Sequence, residues 1–137
     1  MTHPQLDNLV GVGKLKTETP AESEIDGLLH SGLARLRDAE REELSLESRF
    51  DLAYNAVHAL ALAALRRLSY RSESRYLVFQ CLQHTVDLPP EQWRVLDGAH
   101  RKRNQAEYEG VVDVDEETVS AVIRVAREVS TRIDASS

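Results

Sequence analysis

Apolar residues recur at steps of three and four along the chain after residue 22, which is the period of one face of an α-helix. A first helix is predicted from near Ser23, and a second, stronger one over Leu46–Leu68. Apolar residues cover most of the circumference of the second helix, so we expect it to be the central one. Its alanines on another face, Ala56, Ala59 and Ala63, permit close approach of a neighbouring helix.

Three further helices are predicted in the second half of the chain. A short one carries Tyr76–Leu82. The next helix begins near Glu91, just after two prolines, and ends at Gly110. Proline is common in the first turn of a helix, and glycine is common at the position where a helix stops. The last begins at Asp113 or Asp115. No run alternates convincingly with the period of a strand, so the pattern predicts an all-α fold, with about five helices in a single up-and-down-type bundle.

The first 22 residues lack a sustained period and contain Pro4, Pro20 and two glycines. This composition predicts an N-terminal arm over residues 1–22, extended or loosely packed, which Leu9, Val10 and Leu15 could anchor, followed by one helical domain over residues 23–137. The N-terminus has no basic and apolar signal-peptide pattern, and the most apolar run, Ala56–Leu65, is too short to span a bilayer. A cytoplasmic location without a membrane partner is therefore predicted.

Composition agrees with a globular helical domain, since 42% of the residues are hydrophobic and 29% are charged. With 5% aromatic residues, the core must consist mostly of Leu, Val and Ala, which suit helices. The single cysteine, Cys81, excludes an internal disulfide, and its apolar neighbours predict a buried structural thiol. No spacing of His, Asp or Glu suggests a metal site, and no glycine-rich phosphate loop is present, so no cofactor is predicted.

Charge is distributed unevenly around a formal net charge of −6. Residues 49–110 carry nine basic and seven acidic side chains, whereas the segments on both sides are strongly acidic. The negative net charge argues against broad affinity for nucleic acids, but the local electrostatic potential decides which ions or ligands a cleft attracts. The middle of the chain is therefore the place to look for an anion site.

Two segments resemble motifs of the HEPN domain family. Phe50–Leu60 resembles the family's central-helix signature, an aromatic–alanine pair followed by further small residues. Arg101–Tyr108 resembles the Arg-Asn-containing motif on a late helix. The resemblance covers roughly Ile25–Ile133, with the helices and both motifs in the family's order. It implies a helical bundle that forms a homodimer, and the second apolar face of the central helix also favours a dimer.

The resemblance implies two classes of function. Many HEPN proteins are metal-independent ribonucleases with an Arg-x4-6-His motif, often toxins or parts of defence systems, and others are non-catalytic partners, for example of a small nucleotidyltransferase. Here Tyr108 stands five places after Arg103, where the family's histidine is expected, and no histidine follows His100. A tyrosine with an ordinary pKa near 10 is a poor base at neutral pH. The ribonuclease motif is therefore degenerate.

The segment His100–Tyr108 is also the best candidate site on chemical grounds. Its three consecutive cations cover every direction around a helix, so at least one must face the bundle or a partner. An arginine beside an amide and a phenol suits a phosphate group or a polar dimer seam. The candidate ligand- or phosphate-binding residues are His100, Arg101, Arg103, Asn104 and Tyr108, and the catalytic candidates among them are Arg103, Asn104 and Tyr108. A solvated helix end with internal ion pairs would explain several of them as well.

Three functions remain open from the sequence. The leading one is a dimeric HEPN-like module that binds a protein partner, such as a nucleotidyltransferase, or a nucleotide or RNA. The second is a metal-independent ribonuclease toxin of a toxin–antitoxin-like system, and the third is a purely structural helical adaptor. Two other side chains, His58 and Trp93, are predicted to lie in the core or at an interface.

Overall fold

The computed structural model describes residues 3–136, which form seven helices and one pair of two-residue strands. The predicted all-α fold is confirmed. Residues 1–2 of the predicted arm and Ser137 of the predicted domain lie outside the described residues. The helices are α1 (Pro4–Gly11), α2 (Glu22–Ala39), α3 (Leu46–Arg67), α4 (Arg75–Gln80), α5 (Leu82–Thr85), α6 (Pro90–Glu109) and α7 (Glu116–Ala135), and the strands β1 (Lys16–Thr17) and β2 (Tyr70–Arg71) pair antiparallel.

Local signals set the ends of the longer helices. The side chain of Ser45 accepts a hydrogen bond from the backbone of Ser48 at the start of α3, and Asp115 caps α7 through the backbone of Thr118 at 2.8 Å. Helix α6 ends at Gly110, whose φ of 77° lies in the left-handed region that glycine adopts readily. Of the two predicted starts of the last helix, Asp115 is the one used.

Helix α3 is central, as predicted, and contacts every other helix from α2 to α7. Its alanine face is buried within the chain, with Ala56, Ala59 and Ala63 all 7% exposed or less. Gly32 of α2 packs so closely that a Cβ there would lie 2.9 Å from Cγ of Leu60. A second copy therefore does not cover this face, because other parts of the same chain already do. In the described part of the chain, no helix combines the length and apolar character needed to cross a bilayer.

The N-terminal segment differs from the extended or loosely packed arm expected from the sequence. It begins with α1, and Leu6 and Leu15 are almost completely buried in the main core. The hydroxyl of Tyr70 donates a hydrogen bond to Asp7, which ties α1 to strand β2. An eight-residue helix shows barely two turns of periodicity, so tertiary burial rather than local pattern stabilises it.

The predicted short third helix is divided into α4 and α5 by Cys81. The thiol is 1% exposed, and burial raises its pKa to about 11. The interpretation of Cys81 as a buried structural thiol is confirmed, since the thiolate that would react is disfavoured.

Among the described residues, two arginines of the central helix are buried. Arg66 donates two hydrogen bonds to the carboxylate of Glu24, at 3.1 and 3.2 Å, and two to the backbone oxygens of Glu18 and Tyr70. Because four of its five N–H groups are hydrogen bonded and Glu24 balances its charge, the guanidinium joins α2, α3 and the strand pair without leaving an unpaired buried charge. Arg49 similarly bonds to a backbone oxygen at the end of α2.

The close approach of α2 and α3 generates a stability prediction at two glycines of α2. Gly32→Ala should lower the free energy of unfolding by about 1–2 kcal/mol, because the new methyl group overlaps with Leu60. Gly27→Ala is the matched control: it meets nothing within 4 Å and should raise the free energy by about 0.5–1 kcal/mol through helix propensity. Urea unfolding measures both, and equal effects at the two positions would contradict the packing described.

Candidate functional site

Helices α3, α4 and α6 meet around the ring of Tyr54, which is completely buried. The ring of Phe79 packs edge-on against it, with 5.5 Å between ring centroids. The phenol oxygen lies 3.0 Å from Nδ1 of His100 on α6. Since a buried hydroxyl requires a hydrogen-bond partner, this contact joins the central helix to the polar segment predicted as the site.

His100 is hydrogen bonded at both ring nitrogens. Its Nε2 lies 3.1 Å from Nδ2 of Asn104. An amide nitrogen only donates, so Nε2 accepts and the neutral ring carries its proton on Nδ1, which donates to Tyr54. Burial lowers the pKa of His100, with the charges of Arg103 and Arg75 acting in the same direction and Asp97 opposing them. The imidazole is therefore neutral at pH 7, with its lone pair on Nε2.

Two guanidinium groups from different helices lie against the same ring. The Cζ atoms of Arg75 on α4 and Arg103 on α6 are 5.7 and 5.2 Å from the centroid of Tyr54. These distances allow cation–π attraction, which holds both cations beside the buried phenol. We refer to Tyr54, Arg75, His100, Arg103 and Asn104 as the Tyr54 cluster.

The two arginines differ in how their charges are compensated. Arg103 forms an ion pair with Glu107, at 2.9 Å. Arg75 donates to the amide oxygen of Asn55, at 3.1 Å, and this neutral partner does not cancel its charge. Burial raises the pKa of Tyr54, and both arginines oppose that rise. The cluster therefore carries an excess of positive charge in a partly buried position.

A polar cleft of about 340 Å³ adjoins the Tyr54 cluster, and Arg75 lines it. His58, one turn after Tyr54 on α3, also lines this cleft and packs edge-on against Phe79. Burial, followed by the charges of Arg75 and Arg103, lowers the pKa of His58 to about 4. His58 thus lies at the edge of the core beside the cluster, in a positive field.

A groove of about 450 Å³ between α6 and α7 lies away from this chemistry. Apolar side chains including Val95 and Val125 line it, and no histidine or cysteine does. A roomier groove without convergent reactive groups is a weaker candidate for an active or binding site than the Tyr54 cluster.

The structure brings together three of the five residues predicted as a site: His100, Arg103 and Asn104. The other two lie outside the cluster. Arg101 pairs with Asp97 at 3.0 Å and its side chain is 74% exposed, while Tyr108 is 94% exposed near the end of α6. Tyr108 contributes nothing to the cluster.

Tyr54 and Arg75 were not predicted from the sequence as residues of the candidate site. The apolar stripe of α3 predicted that Tyr54 lies in the core, and the structure confirms this for its ring. The stripe could not predict the hydrogen-bond partner of its hydroxyl. Arg75 is the first residue of α4, directly after the capping residue Ser74, and no local pattern distinguishes it from a solvated arginine. In residues 3–136, no group of three or more His, Cys, Asp or Glu side chains could hold a metal ion.

A scan against protein-family models, a search of curated proteins and a search of solved structures each found no match to this chain.

The lowered pKa of His58 predicts a loss of stability in acid. The unfolded chain takes up this proton near pH 6.5 and the folded chain near pH 4, so the free energy of unfolding should fall as the pH drops between these values. His58→Phe should remove part of that fall in urea unfolding at pH 7.0, 5.5 and 4.5. The same substitution at the exposed His30 controls for placing a phenyl ring on a helix away from the core. If the free energy of unfolding of the His58→Phe variant falls with pH as much as that of the unmodified protein, His58 is not a source of the acid sensitivity.

Proposed function

We propose that this chain is a HEPN-like helical module that binds the phosphate groups of RNA or a nucleotide at the Tyr54 cluster. The observation that carries the proposal is the convergence of Arg75 and Arg103, from α4 and α6, on one buried ring. Arginine is suited to phosphate because its planar group offers several donors in a fixed geometry. The charge of Arg75, bonded to a neutral amide, is available to an anion.

Local electrostatics supports an anionic ligand despite the net charge of −6. Burial is the main cause of the lowered pKa of both His58 and His100, and the positive charges of Arg75 and Arg103 add to it, while Asp97 and Glu107 oppose it at His100. At His58 the two arginines act without an opposing carboxylate, and the local field there favours the approach of a negative group. Asn104, hydrogen bonded to His100, adds an amide beside the two cations.

The binding proposal predicts salt-dependent affinity for a fluorescently labelled single-stranded RNA of about twelve nucleotides. Arg75→Gln and Arg103→Gln should each weaken binding and reduce the slope of log affinity against log salt by about 0.7, the value for one phosphate contact on a single strand. Arg124→Gln, the same change at an exposed position of α7, is the matched control and should have little effect. Fluorescence anisotropy at several salt concentrations measures all four proteins.

Two results would defeat the binding proposal. One is the absence of salt-dependent binding of both RNA and mononucleotides by the unmodified protein. The other is an equal loss in the Arg124 control, which would indicate attraction by general charge rather than by a site. A protein that binds neither ligand and cuts no RNA would instead be a structural helical adaptor.

A metal-independent ribonuclease of a toxin–antitoxin-like system is the second candidate, favoured by the neutral imidazole of His100. Its Nε2 lone pair could take the proton of a ribose 2′-hydroxyl if Asn104 turned aside, while Arg103 neutralised the phosphate. RNA cleavage in the presence of EDTA that is lost in His100→Ala and Arg103→Ala, but retained in Arg124→Ala, would establish this function. The exposed Tyr108 should not matter, so Tyr108→Phe serves as a further control.

The HEPN resemblance also leads us to propose a homodimer and a nucleotidyltransferase-type protein partner. The alanine face of α3 is covered within the chain, so a dimer must use a different surface. Light scattering at micromolar concentration should give about twice the 15.4 kDa mass of one chain. A mass equal to one chain would contradict the dimer and leave the binding proposal intact.

A further inference from the structure

An aromatic pair lies directly beside the Tyr54 cluster and has no role in the phosphate site. Tyr76 follows Arg75 on α4, and its ring centroid is 6.4 Å from that of Trp93 on α6, with 74° between the ring planes. The same tyrosine ring is 5.8 Å from the imidazole of His100. The three rings thus connect the surface of the protein with the two cations.

Tyr76 is 39% exposed, although it is one of the few large aromatic side chains in the protein. Trp93 is half-buried and packs against the core, so it supports Tyr76 from one side in an edge-on contact. The hydroxyl of Tyr76 has a weak contact, at 3.5 Å, with the amide of Gln80 one turn later. The ring is therefore held in place by its neighbours while part of its surface remains open.

We infer that Tyr76 stacks with an unpaired base of single-stranded RNA whose adjoining phosphate is held by Arg75 and Arg103. This inference rests on the proposed phosphate site and adds the part of the ligand that the arginines cannot recognise. Aromatic rings stack on bases of single strands with little sequence preference, because every base presents a π face. Bases inside a duplex are already stacked on each other, so Tyr76 gives the site a preference for single strands.

The imidazole of His100 connects the two kinds of contact. Its ring is 5.8 Å from that of Tyr76, and its Nδ1 is hydrogen bonded to the phenol of Tyr54 at 3.0 Å. The cations of Arg75 and Arg103 lie against that same phenol ring. The aromatic surface and the two cations therefore belong to one continuous set of contacts, as a base and its phosphate belong to one nucleotide unit.

The test compares three labelled ligands of equal length: a single-stranded RNA, an abasic ribose–phosphate strand and a duplex RNA. The unmodified protein should bind the single strand about 10-fold more tightly than the abasic strand, as expected for one stacked base. Tyr76→Leu, which keeps an apolar contact with Trp93 but has no π face, should abolish this difference. Tyr76→Phe is the matched control and should retain it. The duplex should bind no better than the abasic strand.

The ligand series separates this inference from the proposal on which it rests. If Arg75→Gln weakens both strands equally and Tyr76→Leu changes neither, the phosphate site stands and base stacking is wrong. If no ligand binds with salt dependence, both proposals are wrong. Mononucleotide binding as tight as that of the oligonucleotide would show that the site takes a free nucleotide and would overturn the assignment to RNA. Thermal unfolding of each variant checks that the fold is retained, as expected at a partly exposed position.

Discussion

The phenol of Tyr54 is completely buried on the central helix, and its hydroxyl must find a partner inside the protein, because an unsatisfied buried polar group costs about 1–3 kcal/mol. His100 is that partner, at 3.0 Å, and this bond acts together with the burial of Leu96 and Ala99 to set the rotation of α6. In this rotation Arg103 lies over the ring of Tyr54 and Asn104 reaches His100, while Arg101 is exposed. The buried hydroxyl thus helps to order the side of α6 on which the candidate chemistry lies.

Buried and half-buried arginines serve opposite purposes in this fold. Arg66 donates to one carboxylate and two backbone oxygens, which satisfies the guanidinium and joins separate parts of the chain. Arg75 has a neutral amide as its partner and lies with Arg103 against one ring. The first arrangement stabilises the structure and leaves little capacity for a ligand. The arrangement of Arg75 leaves a positive charge in a partly buried position, where the effective dielectric constant is lower and the attraction for an anion is stronger.

Most of the helices could be predicted because their signals are local. Apolar spacing located α2, α3, α6 and α7, and capping by Asp115 and Gly110 placed two of their ends. Helix α1 was missed because its stability comes from tertiary burial of Leu6, which no eight-residue pattern reveals, although Leu15 could be recognised as a possible anchor of the segment. The alanine face of α3 was correctly identified as a packing surface. The sequence could not show which element covers this face, because packing of α2 or of a second copy of the chain would bury the same alanines.

The sequence by itself determined the helical class, the central position of α3 and the i,i+4 ion pairs of α6, because each depends on residues within a few positions of one another. It also limited the candidate chemistry to the polar end of α6. Only the tertiary structure decided that Arg103 and not Arg101 joins the Tyr54 cluster, and that Arg75 belongs to it. The reason is physical: side-chain direction around a helix is chosen by the partners that distant segments present, and periodicity cannot specify those partners.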